Sequence, residues 1–429
     1  MITATLLVVL VALMALRVPV SIAIGIASLI ALLMADFPLD VVPRMMTDSV
    51  DSYALLAVPF FVLAGNLMNA TGITERIFDF ARAVFGTIRG GLAQVNVAAS
   101  MIFAGMSGAA LADLGGLGAV EMRAMRRNDY PADFSAAVTL ASCTIGPIIP
   151  PSIVLVVYGL TTETSVGRLF LGGVVPGLVI GIVTMAFISL YVRRRRTAWG
   201  QPEPLRFANV WRTFRRGVLA LISPAIIIGA IIGGISTPSE VGAIAAAYAL
   251  MVGLIYRELS WARLKVCLIE SVTMTAVIMY LVAVSSIMGW VITTERVAHD
   301  AAALIATHIQ SPLVGLLILN VFLLVVGMFL ETLPALLIMS SILLPVTQAL
   351  GVDPVHFGII ICFNLILGII TPPMGIGLFV AARVARVTPE QVLRAILPFL
   401  VPLVAGLLVI TAFPQLTLWL PNLVFGPSY

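Results

Sequence analysis

Four stretches of this sequence place hydroxyl, carboxylate, glycine and proline inside otherwise apolar surroundings. The first, Gly105-Met106-Ser107-Gly108-Ala109-Ala110-Leu111-Ala112-Asp113, offers a hydroxyl at Ser107, room for close backbone approach at Gly108 and Ala109, and the carboxylate of Asp113. The second, Gly327-Met328-Phe329-Leu330-Glu331-Thr332-Leu333-Pro334, holds a carboxylate beside a hydroxyl. The other two are proline-broken: Ser142, Thr144, Gly146, Pro147, Pro150, Pro151 and Ser152, then Asn364, Gly368, Thr371, Pro372, Pro373, Met374 and Gly375. Proline has no N–H and frees a carbonyl, and glycine admits unusual backbone angles. In a membrane, freed carbonyls suit a sodium ion and helix amino termini suit a carboxylate. The candidate substrate contacts are therefore Ser107, Gly108, Ala109, Pro150, Ser152, Glu331, Thr332 and Pro373. The candidate sodium ligands, chiefly through backbone carbonyls, are Ser142, Gly146, Gly327, Gly368, Thr371 and Met374. Asp113 and Glu331 are candidates for ionisable coupling, because an intramembrane carboxylate is a functional residue by default. The plainer alternatives are small-residue helix packing, simple proline kinks, and Glu331 acting as a helix cap.

Composition dictates the elements that hold these residues. Of 429 residues, 61% are hydrophobic and 10% charged, against about 25% charged in a soluble domain. Mean hydropathy is +1.13. A soluble enzyme, a disordered chain and a disulfide-built secreted protein are excluded, leaving an all-α polytopic membrane protein. Cys143, Cys267 and Cys362 lie far apart in apolar runs and read as small core hydrophobes. The first apolar stretch lacks a basic region before it and has Arg17 after it, so it reads as a retained helix with its amino end away from the cytoplasm.

The chain repeats one plan. Gly105-Met106 recurs as Gly327-Met328, Gly146 as Gly368, Pro150-Pro151 as Pro372-Pro373 and Pro176 as Pro398, all at an offset of 222. Ile73-Thr74-Glu75-Arg76 returns as Thr293-Thr294-Glu295-Arg296 after Ile292. Between the copies the polar stretch 193–216 reads as an aqueous basic linker. Each copy then divides alike: scaffold segments (1–72 and 217–294), an amphipathic arm (73–90 and 295–311), and a transport part (91–192 and 312–417), with a tail at 418–429. The transport parts contain long interrupted stretches, 91–127 and 312–349, read as re-entrant hairpins, and broken helices, 133–159 and 354–386. Five crossings per copy, an odd number, invert the second copy. With both termini outside, 21 of the 24 basic residues fall on the inner side, leaving Arg44, Arg168 and Arg296 outside, as the positive-inside rule asks. Discontinuous helices in inverted repeats are the architecture of secondary transporters.

Other features are structural on this reading. His299, His308 and His356 map to outer loops or interfaces and are expected to be solvated. Trp199, Trp211, Trp261 and Trp290 fall at the aromatic belt, and Glu240 caps a helix after Pro238. The arginine run lacks the interleaved aromatics of a nucleic-acid surface. A phosphate-binding glycine-lysine loop is absent from the sequence, as are His-Glu-x-x-His and Gly-x-Ser-x-Gly, which argues against direct ATP drive and intramembrane hydrolysis. No Lys or Arg maps to a hairpin tip or helix break.

The run Phe103–Asp113, with Gly146-Pro147-Ile148-Ile149-Pro150-Pro151-Ser152, Thr237-Pro238-Ser239-Glu240-Val241-Gly242-Ala243 and Gly368-Ile369-Ile370-Thr371-Pro372-Pro373-Met374-Gly375, resembles the large membrane subunit of TRAP (tripartite ATP-independent periplasmic) transporters. The resemblance spans nearly the whole chain. It implies a sodium-driven importer of organic acids, such as C4-dicarboxylates or sialic acid, in a bacterial inner membrane. It also implies an elevator in which hairpins and broken helices move against a static scaffold. The implied partners are a separate small four-helix membrane subunit and a soluble periplasmic substrate-binding protein; sodium is the coupling ion and no organic cofactor is implied. Two other classes stay open on the residues alone. One is a self-sufficient organic-anion or sodium/proton carrier, with Asp113 or Glu331 carrying protons. The other is a membrane enzyme or assembly protein, for which the sequence shows no catalytic cluster.

Overall fold

The structure, a computed structural model, describes residues 2–108, 110–195, 199–234, 236–296, 311–372 and 375–427. Among the described residues it is all helix and turn, with no strand. The candidate residues Ala109, Pro373 and Met374 lie outside them, as do His299, His308 and most of the second arm.

The first half of the chain runs α1 (Ile2–Ala15), α2 (Val20–Met34), α3 (Val41–Val50), a 3₁₀ turn (Tyr53–Leu56) leading into α4 (Ala57–Ala70), and the arm α5 (Ile73–Phe85). It continues with α6 (Leu92–Ser107), α7 (Ala110–Gly115), α8 (Leu117–Arg126), α9 (Ala132–Cys143), α10 (Ile153–Thr161) and α11 (Val166–Arg195). The second half has α12 (Phe207–Ile232), α13 (Pro238–Ile255), α14 (Trp261–Thr294), α15 (Pro312–Phe329), α16 (Thr332–Ala349), α17 (Pro354–Ile370), α18 (Ile376–Ala385) and α19 (Pro389–Ala412). A last helix, α20 (Gln415–Phe425), covers the end of the chain.

Local chemistry sets many of these boundaries. Pro238, Pro312, Pro354 and Pro389 open their helices at the first position, where the missing N–H has no helical partner to lose. Thr237 and Glu240 form a reciprocal capping box at α13, as the sequence suggests for Glu240, and Thr388 with Gln391 forms another at α19. The arm is amphipathic, burying Ile73, Ile77, Phe78 and Ala81 while exposing Glu75.

Eight helices among the described residues are long and apolar enough to cross a membrane by length and composition. They include both legs of the second hairpin, α15 and α16, at 18 residues each; the legs of the first are shorter. α1–α4 pack with α12–α14, most extensively through α4 and α13. The other set gathers around α9 and α17, which are buried on every side from Phe134 to Cys143 and from Val355 to Ile370. Around them lie α6, α8, α15, α16, α18 and α19. Helices that contact neighbours on all faces lack the lipid-facing stripe of a peripheral span, and so hold the centre.

One expectation is corrected and one is made more specific. His356 is not solvated: it is 2% exposed, and its Nδ1 lies 2.8 Å from the Thr417 hydroxyl. Asp353 caps α17 and Pro354 starts it, so His356 already sits inside the first turn, where α20 covers it. The stretch 193–216 is largely exposed, and part of it is held in place. Helix α12 begins at Phe207, and residues 200–203 dock on the arm through Gly90 N–H to Gly200 O (3.0 Å) and Glu203 N–H to Gly86 O (2.9 Å). Arg82 also donates to Glu203 Oε1 from Nε (3.0 Å) and Nη2 (2.7 Å).

Candidate functional site

The first hairpin closes on itself through polar groups at its base: Asn96 of α6 donates to Met125 Sδ of α8 at 3.8 Å and to Thr139 Oγ1 of α9 at 2.6 Å. At the other end, Ser107 is the last residue of α6 and Gly108 takes a left-handed conformation (φ 63°). A side chain at Gly108 would run into the Pro151 carbonyl and stand 3.0 Å from Ser152 Cα. The hairpin tip is thus laid backbone to backbone on the first helix break. One turn on, Asp113 is 3% exposed, and its Oδ2 would lie 2.6 Å from a Cβ at Gly146.

The second hairpin repeats this contact in another form. Gly327 of α15 and Gly368 of α17 face each other with no side chain between them, so that a Cβ on Gly368 would overlap the Gly327 backbone. A Cβ on Gly327 would lie 3.2 Å from Gly368 Cα. Asn364 on the same helix donates to Asn320 O (3.0 Å) and Oδ1 (2.9 Å), and Asn320 donates to Thr411 Oγ1 (2.8 Å). In the first half of the chain a comparable bond joins α9 to α6, where Ser142 donates to Asn96 Oδ1 (2.7 Å). The two units interlock, since α9 packs on α18, α10 on α16 and α17, and α7 on α18.

The candidate oxygens divide into free and committed ones. Pro150 has no N–H to offer the carbonyl of Gly146, four residues earlier. Thr371 donates its hydroxyl hydrogen to Leu367 O (2.6 Å), which leaves the oxygen's lone pairs available. Its own N–H occupies one side of the Gly368 carbonyl (3.1 Å). These are oxygen donors only, a set suited to a hard cation such as sodium, and no cluster of His, Cys, Asp and Glu able to hold a metal occurs among the described residues. Ser142 is spent: its hydroxyl sits between Asn96, Ser100 (3.0 Å) and the Thr139 carbonyl (2.9 Å), and its carbonyl accepts from Ile145 N–H (3.1 Å). Ser152 donates to the Pro147 carbonyl and caps α10 by accepting from Leu155 N–H (3.2 Å), which assigns it to shaping the break.

Of the second tip, Glu331 is exposed at the N-cap of α16 and makes no side-chain cap bond, so the capping alternative is not seen. Thr332 is 5% exposed, and its hydroxyl has no hydrogen-bond partner among the described residues. Sequence reasoning missed Asn96, Ser100, Asn320 and Glu121; the asparagines in apolar helices were the available signal.

Two clefts separate the sets. One, of about 1060 Å³, lies between Asn66 and Asn69 of α4, Glu270 of α14, and Ala112, Gly115 and Gly116 of the first hairpin. The other, of about 500 Å³, is hydroxyl-rich, with Ser285 and Ser286 of α14 facing Ser340 and Ser341 of α16. The long helix α14 lines both.

Residues 7–416 match the family described as tripartite ATP-independent periplasmic transporter, DctM component. The chain belongs to the DctM family. It is a transport protein of the membrane, not an enzyme. This DctM protein is 44% identical, over 89% of its length and 90% of the relative's, to the sialic acid TRAP transporter large permease SiaM of Vibrio cholerae. It is 38% identical to the C4-dicarboxylate TRAP transporter large permease DctM of Pseudomonas aeruginosa, over 87% of its own length and 88% of the other's. To the 2,3-diketo-L-gulonate TRAP transporter large permease YiaN of Escherichia coli it is 35% identical, with 89% of each covered. In fold, this DctM protein is similar to the YdaH transporter of Alcanivorax borkumensis: TM-score 0.64 at 13% identity, with 90% and 89% of the two chains covered.

Proposed function

We propose that this chain is the permease subunit of a sodium-coupled importer of an organic acid, working as an elevator. The moving part is 91–192 with 312–417, and 1–72 with 217–294 stands still. The observation that carries this reading is the backbone contact of each hairpin with its broken helix, Gly108 on Pro151 and Gly327 on Gly368. Such contacts make each hairpin and helix break one body. Gly146, Gly327, Gly368 and Thr371 offer oxygens to sodium. The substrate carboxylate is held by Thr332 and by the amino end of α18, whose N-cap Gly375 supplies no capping side chain. Sodium is co-substrate here, and its charge compensates the carboxylate that no Lys or Arg of the tips can meet. The two copies are inverted, both termini face the periplasm, and the arginine-rich segments face the cytoplasm. A small four-helix membrane subunit and a soluble periplasmic binding protein complete the importer, and the names of the relatives support a carboxylate substrate, as sialic acid, C4-dicarboxylate and 2,3-diketo-L-gulonate are for them.

The test is uptake into proteoliposomes under an imposed sodium gradient, with and without the two partners. Uptake is expected only with both partners and sodium, and Thr371→Val raises the sodium concentration for half-maximal uptake by about tenfold, the equivalent of ~1.4 kcal/mol. Vigorous uptake by the chain alone overturns the partner requirement, and an unchanged sodium response in Thr371→Val overturns the ligand assignment.

A further inference from the structure

The first hairpin contains a carboxyl group that the sodium and substrate assignments do not use. Glu121, on α8, is 0% exposed, and neither of its carboxylate oxygens has a hydrogen-bond partner among the described residues. Helical spacing sets its direction. Gly118, three residues earlier, packs on the Thr139 side chain, and Met125, four residues later, touches Asn96. Glu121 lies on the same face of α8, toward the polar cluster of α6 and α9.

None of that cluster's donors bonds it among the described residues. The Asn96 amide donates to Thr139 and Met125, Ser100 donates to Ser142, and Ser142 donates to Asn96 Oδ1 or Thr139 O. Nor is there a counter-charge beside it among the described residues. Asp113 of α7 and Cys143 of α9 are the titratable groups close enough to act on Glu121 electrostatically. Arg123 and Arg126 of its own helix are exposed, as is Arg383 of α18, and Arg76 of the arm is paired with Glu258. An unpaired carboxylate in apolar surroundings is far costlier than the neutral acid. A sodium ion at this place would need several oxygens, but Asn96 Oδ1 and Thr139 Oγ1 are already accepting hydrogen bonds.

We infer that Glu121 is a proton-binding site of the first hairpin, separate from the oxygens offered to sodium, and that it carries its proton in the conformation described here. Ala119, Val120 and Arg123 of the same helix line the 1060 Å³ cleft, and Glu121 lies on the opposite face of that turn, turned inward. Movement of the hairpin relative to α4 and α14 changes the cover over this turn, and with it the access of water.

The experiment uses the full-length permease in lipid. The apolar carbodiimide DCCD adds to carboxylic acids in the protonated, membrane-buried state, and the adduct is located by peptide mass spectrometry. At neutral pH the yield at Glu121 is expected to exceed that at exposed Glu163 by about tenfold, following the apolar, uncharged state of the group. In infrared spectra, the wild-type-minus-Glu121→Gln difference is expected to contain a protonated carboxylic acid band and no carboxylate band. Absence of the adduct, or a carboxylate band in that difference, overturns the proposal. The labelling arm needs no variant and neither arm needs transport, so both hold whether or not sodium coupling does. In uptake assays at a fixed sodium gradient, wild type is expected to respond to a superimposed pH gradient and Glu121→Gln to have lost that response. An identical response in both removes Glu121 from the coupling.

Discussion

At Gly368 the space that a methyl group would need is already filled by the backbone of Gly327. Neighbouring main chain cannot swing aside as a flexible side chain can, so the cost falls on helix separation. Gly368→Ala is expected to destabilise the protein by about 1–3 kcal/mol, as overpacking does, and to abolish uptake even where the protein is still inserted. Gly229→Ala is the matched control, because a Cβ there meets nothing within 4 Å, and helix propensity favours the alanine by about 1 kcal/mol. Thermal unfolding in detergent, read beside uptake, checks both. Equal effects at the two positions would show that glycine content, rather than this contact, matters.

Among the elements, the join between α8 and α9 shows how a connection can be as well built as a helix. Tyr130, between them, accepts from Leu92 N–H (3.0 Å) and donates to Gly90 O (3.0 Å), while its ring packs beside Phe134 and Trp199. Burial pushes its phenol up to about 12. A folded-state value above the unfolded one means stability that is fully present below about pH 10 and lost as pH rises through about 12. Tyr130→Phe is therefore expected to lower the melting temperature at neutral pH and to remove this part of the alkaline loss, which melting curves across that range will show. The Arg82–Glu203 pair nearby, with side chains 39% and 44% exposed, contributes at most about 1 kcal/mol. The docking of 200–203 rests mainly on its backbone bonds.

The helix ends near Ser107, Cys143, Phe329 and Ile370 were legible from glycine, proline and hydropathy, because local chemistry decides where a helix must stop. Contacts made by distant segments were not. His356 looked like a solvated residue beside Asp353-Pro354, since its partner Thr417 lies 61 residues away on α20. Ser142 looked like a free hydroxyl for the same reason: Asn96, which occupies it, is 46 positions upstream. Glu121 stood close to Arg123, Arg126 and Arg127, where a charged surface turn is the natural reading. Only the packing of α8 on α9 reveals that it points the other way.

For the whole molecule, the two clefts lie against opposite copies, the larger against the first hairpin and the smaller against the second. If the arginine-rich side is cytoplasmic, the larger opens there. Cysteine introduced at Ala119, in a background without Cys143, Cys267 and Cys362, is expected to react with a membrane-impermeant maleimide from the cytoplasmic side. Cysteine at Ser341 is expected to react from the periplasmic side. Labelling of both from one side would refute the inverted arrangement.

Where Gly108 meets Pro151, and Gly327 meets Gly368, the joint is made of main chain alone. A joint without side chains has nothing for mutation to adjust: a substitution there breaks it or leaves it as it was. Divergence toward a new cargo must therefore draw on other surfaces, such as the hydroxyl-rich cleft of Ser285, Ser286, Ser340 and Ser341. The two joints offer selection no side chain to vary.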